Sequence, residues 1–333
     1  MIKCNLNACL KCLVCLSFII YYSSFSPVRA QSLTFVELNC ENLFDYTHDS
    51  GKQDTEFLPE STRNWTSKRY WRKLNSVAQE LLSCSVDGEG IPDLIALCEV
   101  ENDSVMHGLT RRSLLRNAGY QYLMTSSPDE RGVDVALLYS PTSFSPIRSY
   151  AIRVNPIEGM RATRDILYVC GEAISGDTLH VFVVHQPSKY GGEKYSRPFR
   201  LAVAQRLCES VDSIRTISPD AKLMIAGDFN DEVDSPSLQL YRQHGLLNLT
   251  KDAQGENGVR GTYRYKGEWE RIDHILGSNS IYSMVDTTFI HAPLFLLEEE
   301  PKFGGYKPRR TYNGMRYQPG YSDHLPLVVR LTF

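Results

Sequence analysis

The chain has no surplus of positive charge. Its 36 Lys and Arg stand against 39 Asp and Glu. Lys3, Lys11 and Arg29 fall in the first thirty residues, which hold no acid, so the remainder has 36 − 3 = 33 basic and 39 acidic residues, a formal charge of −6. That excludes coating nucleic acid through bulk charge and leaves only a local basic rim for such contacts. Past the first thirty residues there is no run of twenty apolar residues, which excludes a membrane-spanning body. No repeat, low-complexity tract or linker marks a domain boundary. Of nine cysteines, Cys4, Cys9, Cys12 and Cys15 precede residue 31. The other five (Cys40, Cys84, Cys98, Cys170 and Cys208) are odd in number and lack metal-type pair spacing. Cys98 and Cys170 sit in apolar runs and read as buried thiols. One disulfide stays open, with no pair marked by the sequence.

What is present begins with a leader. Lys3 and Lys11 flank the start of LVCLSFIIYY, and Val28-Arg29-Ala30 supplies small side chains where a signal peptidase cuts. Residues 1–30 read as a cleaved secretory signal, with one domain over 31–333 and export to the periplasm or beyond the cell. A membrane anchor is the alternative.

Strands are expected at 33–38, 93–98, 135–140, 165–173, 179–185, 222–229, 271–278 and 325–333 from short β-prone or continuously apolar runs. Gly176-Asp177 marks a hairpin between two of them. Helices are expected at 67–82, 104–117 and 196–214 from apolar residues at three- and four-residue steps. On the first helix Lys68, Arg69, Arg72 and Lys73 read as a solvated basic face or a substrate rim. This alternation predicts a single α/β domain of two layered mixed sheets with helices outside.

Polar signatures cluster at the strand ends. Asn39 in LNCEN and Glu99 in LCEVEN place two oxygen donors after strands, as a hard cation such as Mg²⁺ or Mn²⁺ requires. Asp228 in GDFN is placed to orient or deprotonate a water, and Asn230 to hydrogen-bond it or a phosphate. In SDHLP, Asp323 would serve the metal and His324 a phosphoryl oxygen, provided the segment is irregular. Asp273 is the candidate acceptor on the other nitrogen of His324, while His274 reads as structural. His185 ends a strand and is a candidate proton donor, with Asp134 as a candidate for orienting it.

These motifs, in this order, resemble the endonuclease/exonuclease/phosphatase superfamily with the DNase I-like fold. LNCEN, Glu99, VVHQP, GDFND, RIDHIL and SDHLP carry the resemblance over residues 33–333. It implies a four-layered α/β sandwich, two packed mixed β-sheets flanked by helices, and Mg²⁺-dependent phosphoester hydrolysis. It implies metal ligation by Glu99 and Asn39 with Asp323 nearby, and Glu41 at the place of a second acidic ligand in some members. Asp228 and Asn230 would surround the attacking water, with Asp273 and His324 on the phosphate. His185 stands where repair-type members carry tyrosine, which argues against abasic-site repair.

Substrate is less marked. The stretch 297–321 mixes basic residues with tyrosines. Arg309, Arg310 and Arg316 would grip phosphates, and Tyr306, Tyr312 or Tyr317 would stack on bases; a loop folded on itself is the alternative. Arg161, Arg164, Lys189 and Arg200 are further cations near site strands. The expectation is a monomeric exported nuclease, with nucleic acid or another phosphodiester as substrate. A lipid or sugar-phosphate phosphodiesterase is the second reading, with Leu294 to Leu297 as a short apolar docking segment. A non-catalytic binding member is the third.

Overall fold

Alternation along each strand builds the inner layer. The computed structural model describes residues 31–86, 88 and 90–333, so the expected leader and its four cysteines lie outside the described residues. Leu33 and Phe35, then Leu94, Ala96 and Cys98, share one buried cluster with Leu179, Val181, Val183, Met224 and Ala226. The residues between them (Val36, Leu38, Ile95, Leu97) face the other way, onto helices. Successive side chains of a strand point to opposite faces, so these strands are apolar on both.

Two six-stranded mixed sheets result. Strands are numbered along the chain. The first sheet runs β13 (Val285–Ile290), β18 (Leu327–Thr332), β1 (Ser32–Leu43), β2 (Leu94–Val100), β4 (Asp134–Tyr139) and β3 (Gln121–Met124). The second runs β5 (Phe144–Ile152), β6 (Ile166–Ala173), β7 (Thr178–His185), β8 (Lys222–Asp228), β12 (Asp273–Gly277) and β9 (Leu247–Asn248). Each contains one parallel pair, β1–β2 and β7–β8. A helix makes each crossover, α1 (Ser67–Ser83) and α3 (Glu193–Ile217), as parallel neighbours require. Helices α1 and α2 (Asp103–Arg111) cover the outer face of the first sheet. Helices α3 and α4 (Pro236–Gln243) cover that of the second. The layers therefore read helix, sheet, sheet, helix, the four-layered α/β sandwich of the DNase I-like fold. A short α5 (Asn279–Tyr282) and three two-stranded ribbons complete the described chain: β10 (Tyr263–Tyr265) with β11 (Glu268–Glu270), β14 (Leu297–Glu299) with β15 (Tyr306–Pro308), and β16 (Tyr312–Asn313) with β17 (Arg316–Tyr317).

Several expectations change. The helix expected at 104–117 is α2 followed by a separate 3-10 turn at Leu114–Asn117. Lys73 is buried on α1, not solvated. Its ammonium donates to Thr311 Oγ1 at 2.9 Å and to the Tyr321 carbonyl, so it ties the helix to the segment before His324. The stretch 297–321 is folded on itself as two ribbons. Tyr312 is 5% exposed and packs between Trp65 and Tyr317, so it is not free to stack on a base. Arg200 is fully buried against Asp231 at 2.9 Å and Glu193 at 2.6 Å and serves the fold. All five described cysteines are free thiols. Among the described residues no helix is long and apolar enough to cross a membrane.

Candidate active site

The two parallel pairs end side by side, and the polar signatures sit at those ends. Asn39 lies in register with Cys98 on β2, and His185 in register with Asp228 on β8. Asp273 flanks Asp228 on the other side, antiparallel. Asn39 continues the inward series of Leu33 and Phe35. Asp228 continues that of Met224 and Ala226, and His185 that of Val181 and Val183. The alternation that fills the core thus aims three polar side chains into its open end. The sheets meet there: Asn39 Nδ2 donates to Asp228 Oδ2 at 3.0 Å, and the Asp228 N–H reaches Cys98 Sγ at 3.4 Å.

Local backbone makes this geometry. Gly227 has φ +150°, and a Cβ there would lie 1.7 Å from the Val184 carbonyl oxygen, so β7 and β8 approach through a position only glycine can occupy. Asn230, Glu99, Glu41 and Asn42 all adopt positive φ between 50° and 60°. That region suits asparagine but costs a glutamate free energy, so the turn at Glu99 is held by its surroundings. Its Oε2 accepts the Asn42 N–H at 2.8 Å, and Arg131 lies 3.4 Å from Oε1. The Ser322 hydroxyl donates to the Asn39 carbonyl at 2.6 Å and accepts the His324 N–H at 3.1 Å. That is the irregularity SDHLP needs.

His324 Nδ1 pairs with Asp273 Oδ2 at 2.8 Å. Burial alone would lower the pKa of this imidazole, but the charge and hydrogen bond of Asp273 outweigh it and hold the ring cationic well above its ordinary range. Thr262 also donates to Asp273 Oδ2, whereas Asp273 Oδ1 is buried without a partner. Asp228 lies in the same buried group. Burial first, then the Asp273 charge, raise its carboxyl to about 7. His185 Nε2 stands 3.6 Å from Asp228 Oδ2 and 4.0 Å from Glu99 Oε1. Burial, then the Arg164 and Arg131 charges, push it well below the usual range, so it is neutral. Asn230 donates through Nδ2 to the Gln186 carbonyl at 3.1 Å, and its N–H donates to Asp228 Oδ1 at 2.8 Å.

The structure therefore gathers Asn39, Glu99, His185, Asp228, Asn230, Asp273 and His324 at one place. Glu41 and Asp323 lie beside it in a separate ion-pair network. Arg310 donates to Asp323 Oδ2 at 2.7 Å and stands 3.4 Å from Glu41 Oε1, with Lys73 at 3.5 Å from Glu41 Oε2. Asp134 does not reach His185; it accepts from Thr125 and Ser127 and fixes their loop. His274 contacts the Asp231 carbonyl and Asn248, a structural place. Arg164 holds the Gln186 carbonyl at 2.8 Å and Asp129 at 3.1 Å, Lys189 pairs with Glu270 at 3.3 Å, and Arg309 is half-buried beside Arg310. Sequence reasoning missed Glu37. It is fully buried one inward step before Asn39, and burial, then Asp273 and Asp228, raise its carboxyl well above the ordinary range. The signal was available, since an acid in LTFVEL falls on the inward face.

The donor chemistry suits a divalent cation. Asp228 and Asp273 bring buried carboxylates together, Asp273 Oδ1 lacks a partner, and Glu99 Oε1 has only long contacts. Residues 34–332 match the profile of the Endonuclease/Exonuclease/phosphatase family. The chain belongs to that family. Members of the Endonuclease/Exonuclease/phosphatase family hydrolyse phosphoester bonds and generally use divalent metals. Solved structures share the fold at low identity. A family protein from Bacteroides thetaiotaomicron is 16% identical, covers 92% of this chain and 99% of its own, and has a TM-score of 0.60. A mannosyl-6-phosphatase from the same organism is 17% identical over 90% and 100%, with a TM-score of 0.60. The human nocturnin catalytic domain with bound sulfate is 17% identical over 92% and 95%, with a TM-score of 0.57. No curated protein matches the sequence.

Proposed function

We propose that this family member is a divalent-metal-dependent phosphodiester hydrolase acting on nucleic acid outside the cytoplasm. The observation that carries the reading is Asp228, 3.0 Å from Asn39 across the seam between the sheets and flanked in register by His185 and Asp273. Asp228 is basic for a carboxylate, so it takes the proton of a water aligned by Asn230 and directs it in line at phosphorus. Cationic His324, its Nδ1 fixed by Asp273, donates from Nε2 to a phosphoryl oxygen and stabilises the charge growing there. His185 is held neutral, which suits orienting Asp228 better than protonating a leaving group. Asn39 and Glu99, at the rim of the Asp228 cluster, would hold Mg²⁺ or Mn²⁺, which when bound supplies Lewis-acid polarisation of the phosphate. The basic–apolar–small order of the first thirty residues supports export.

The test is incubation of the purified chain with Mg²⁺ against plasmid DNA, RNA, sphingomyelin, a phosphoinositide and mannose 6-phosphate, with and without EDTA. Plasmid or RNA cleavage that EDTA abolishes is expected. Asp228→Asn and His324→Ala should each lower it roughly a hundredfold or more. Turnover of mannose 6-phosphate or lipid alone refutes the nuclease reading. Near-full activity in both variants refutes the assigned roles.

A further inference from the structure

A cavity opens beside the site. It has a volume of about 450 Å³, within the roughly 300–1,000 Å³ of small-molecule pockets. Its lining includes three aromatic side chains, Tyr190, Tyr195 and Phe199. It also includes Arg131, Arg161 and Arg164, with the acids Asp129 and Glu130. Two of these arginines tie it to the catalytic centre. Arg164 donates to the Gln186 carbonyl that also receives Asn230, and Arg131 approaches Glu99. Both charges bear on His185.

The walls are built, not incidental. Tyr195 packs edge-on against Phe199 at 5.2 Å, and its hydroxyl donates to the Gly159 carbonyl at 3.2 Å. Gly191, at φ +80°, brings the loop backbone so close to the Tyr195 ring that a Cβ would lie 2.8 Å from it. Tyr190 is 81% exposed, a large ring standing in solvent at the cavity edge. Arg164 Nε and Thr163 Oγ1 are buried without partners among the residues that line it.

The charges narrow the ligand. Without a cation on Glu99, the state in which binding is measured below, Arg131 pairs with that carboxylate at 3.4 Å, and Arg164 pairs with Asp129 at 3.1 Å. Among the described residues Arg161 and Glu130 line the cavity exposed and without an ion pair, so the cavity offers one cation with one carboxylate beside it. That is too little for a multiply phosphorylated headgroup. It matches one planar ring laid on the aromatic side chains with one phosphate at Arg161, the arrangement by which base-stacking platforms work.

We propose that this cavity is a nucleobase subsite that seats the base next to the scissile phosphate. The proposal rests on the hydrolase reading for that phosphate, but its ligand binds without catalysis. The experiment uses the full chain carrying Asp228→Asn, in EDTA, and measures dissociation constants of adenosine 5′-monophosphate, ribose 5-phosphate, mannose 6-phosphate and phosphocholine. Adenosine monophosphate should bind about tenfold tighter than ribose 5-phosphate, the lower range for one stacked base. Adding Tyr190→Ala or Tyr195→Ala should erase that ratio, and Arg161→Ala should weaken both ligands alike. Tyr190 is exposed enough that its loss leaves folding intact. Equal binding of the two ribose ligands, an unchanged ratio in both tyrosine variants, or tighter binding of mannose 6-phosphate or phosphocholine would overturn the subsite. None of these outcomes depends on turnover, so a failed subsite and a failed hydrolase are told apart.

Discussion

Glu80 gives a sharp test of the packing under the site. It lies on α1, fully buried, with both carboxylate oxygens unpartnered. Burial pushes its carboxyl up from 4.5 to about 8, although the nearby Lys73 charge opposes that. The folded chain therefore keeps a proton at neutral pH that the unfolded chain releases above about 4.5. A group raised in the folded state contributes fully below its unfolded value, and the contribution is lost as pH rises through the folded value. The window is thus pH 4.5 to 8. A rise of that size has a ceiling of about 5 kcal/mol. Glu80→Gln keeps the shape and removes the titration. Its buried amide adds a cost of about 1–3 kcal/mol, but that cost does not vary with pH. The measurement is urea unfolding of both chains at pH 5, 6.5 and 8, followed by tryptophan fluorescence. The wild-type chain should lose about 3–5 kcal/mol relative to the variant between pH 5 and pH 8. Parallel curves across that range would show that Glu80 is ionised in the fold, and the argument from burial would fail.

Gly227→Ala should cost about 3 kcal/mol or more in the same unfolding assay, because its methyl meets the Val184 carbonyl oxygen at 1.7 Å and β7 must move from β8. A change within experimental error would mean the two strands are not that close. For Asp273→Asn, removal of the charge that outweighs burial should drop His324 from well above 6.5 to below it. Histidine NMR titration in EDTA reads this directly. In the wild-type chain the paired cation stabilises the fold below pH 6.5, and that contribution is lost as pH rises through the elevated folded value. A midpoint unchanged by the substitution refutes the pairing.

The site was legible because it coincides with strand ends, and strand ends are written locally. IAGDFND shows an apolar run, a glycine and then polar residues, and each feature follows from a backbone that must leave the sheet. The central strands were equally visible, since burial on both faces leaves no polar residue to interrupt LIALC or VFVV. Edge strands were not. Residues 144–152 hold Pro146 and six exposed positions and still pair with β6. Burial of Lys73 was hidden for another reason. On a helical wheel it belongs to the basic face of α1, and its Thr311 partner is 238 residues away. The ribbon carrying Tyr312 is the folded-back alternative, and the sequence leaves it open because aromatic and basic residues packed on a core have the same composition as a binding loop.

The link between Ser322 and Asn39 spans 283 residues. Asn39 begins the centre of its sheet, and β18, which follows His324, lies directly beside it. A ribosome making this chain therefore exposes Asn39, Glu99 and Asp228 long before the imidazole arrives. During synthesis the half-made site therefore lacks the Asp273–His324 pair, and a chain cut short before SDHLP never completes it.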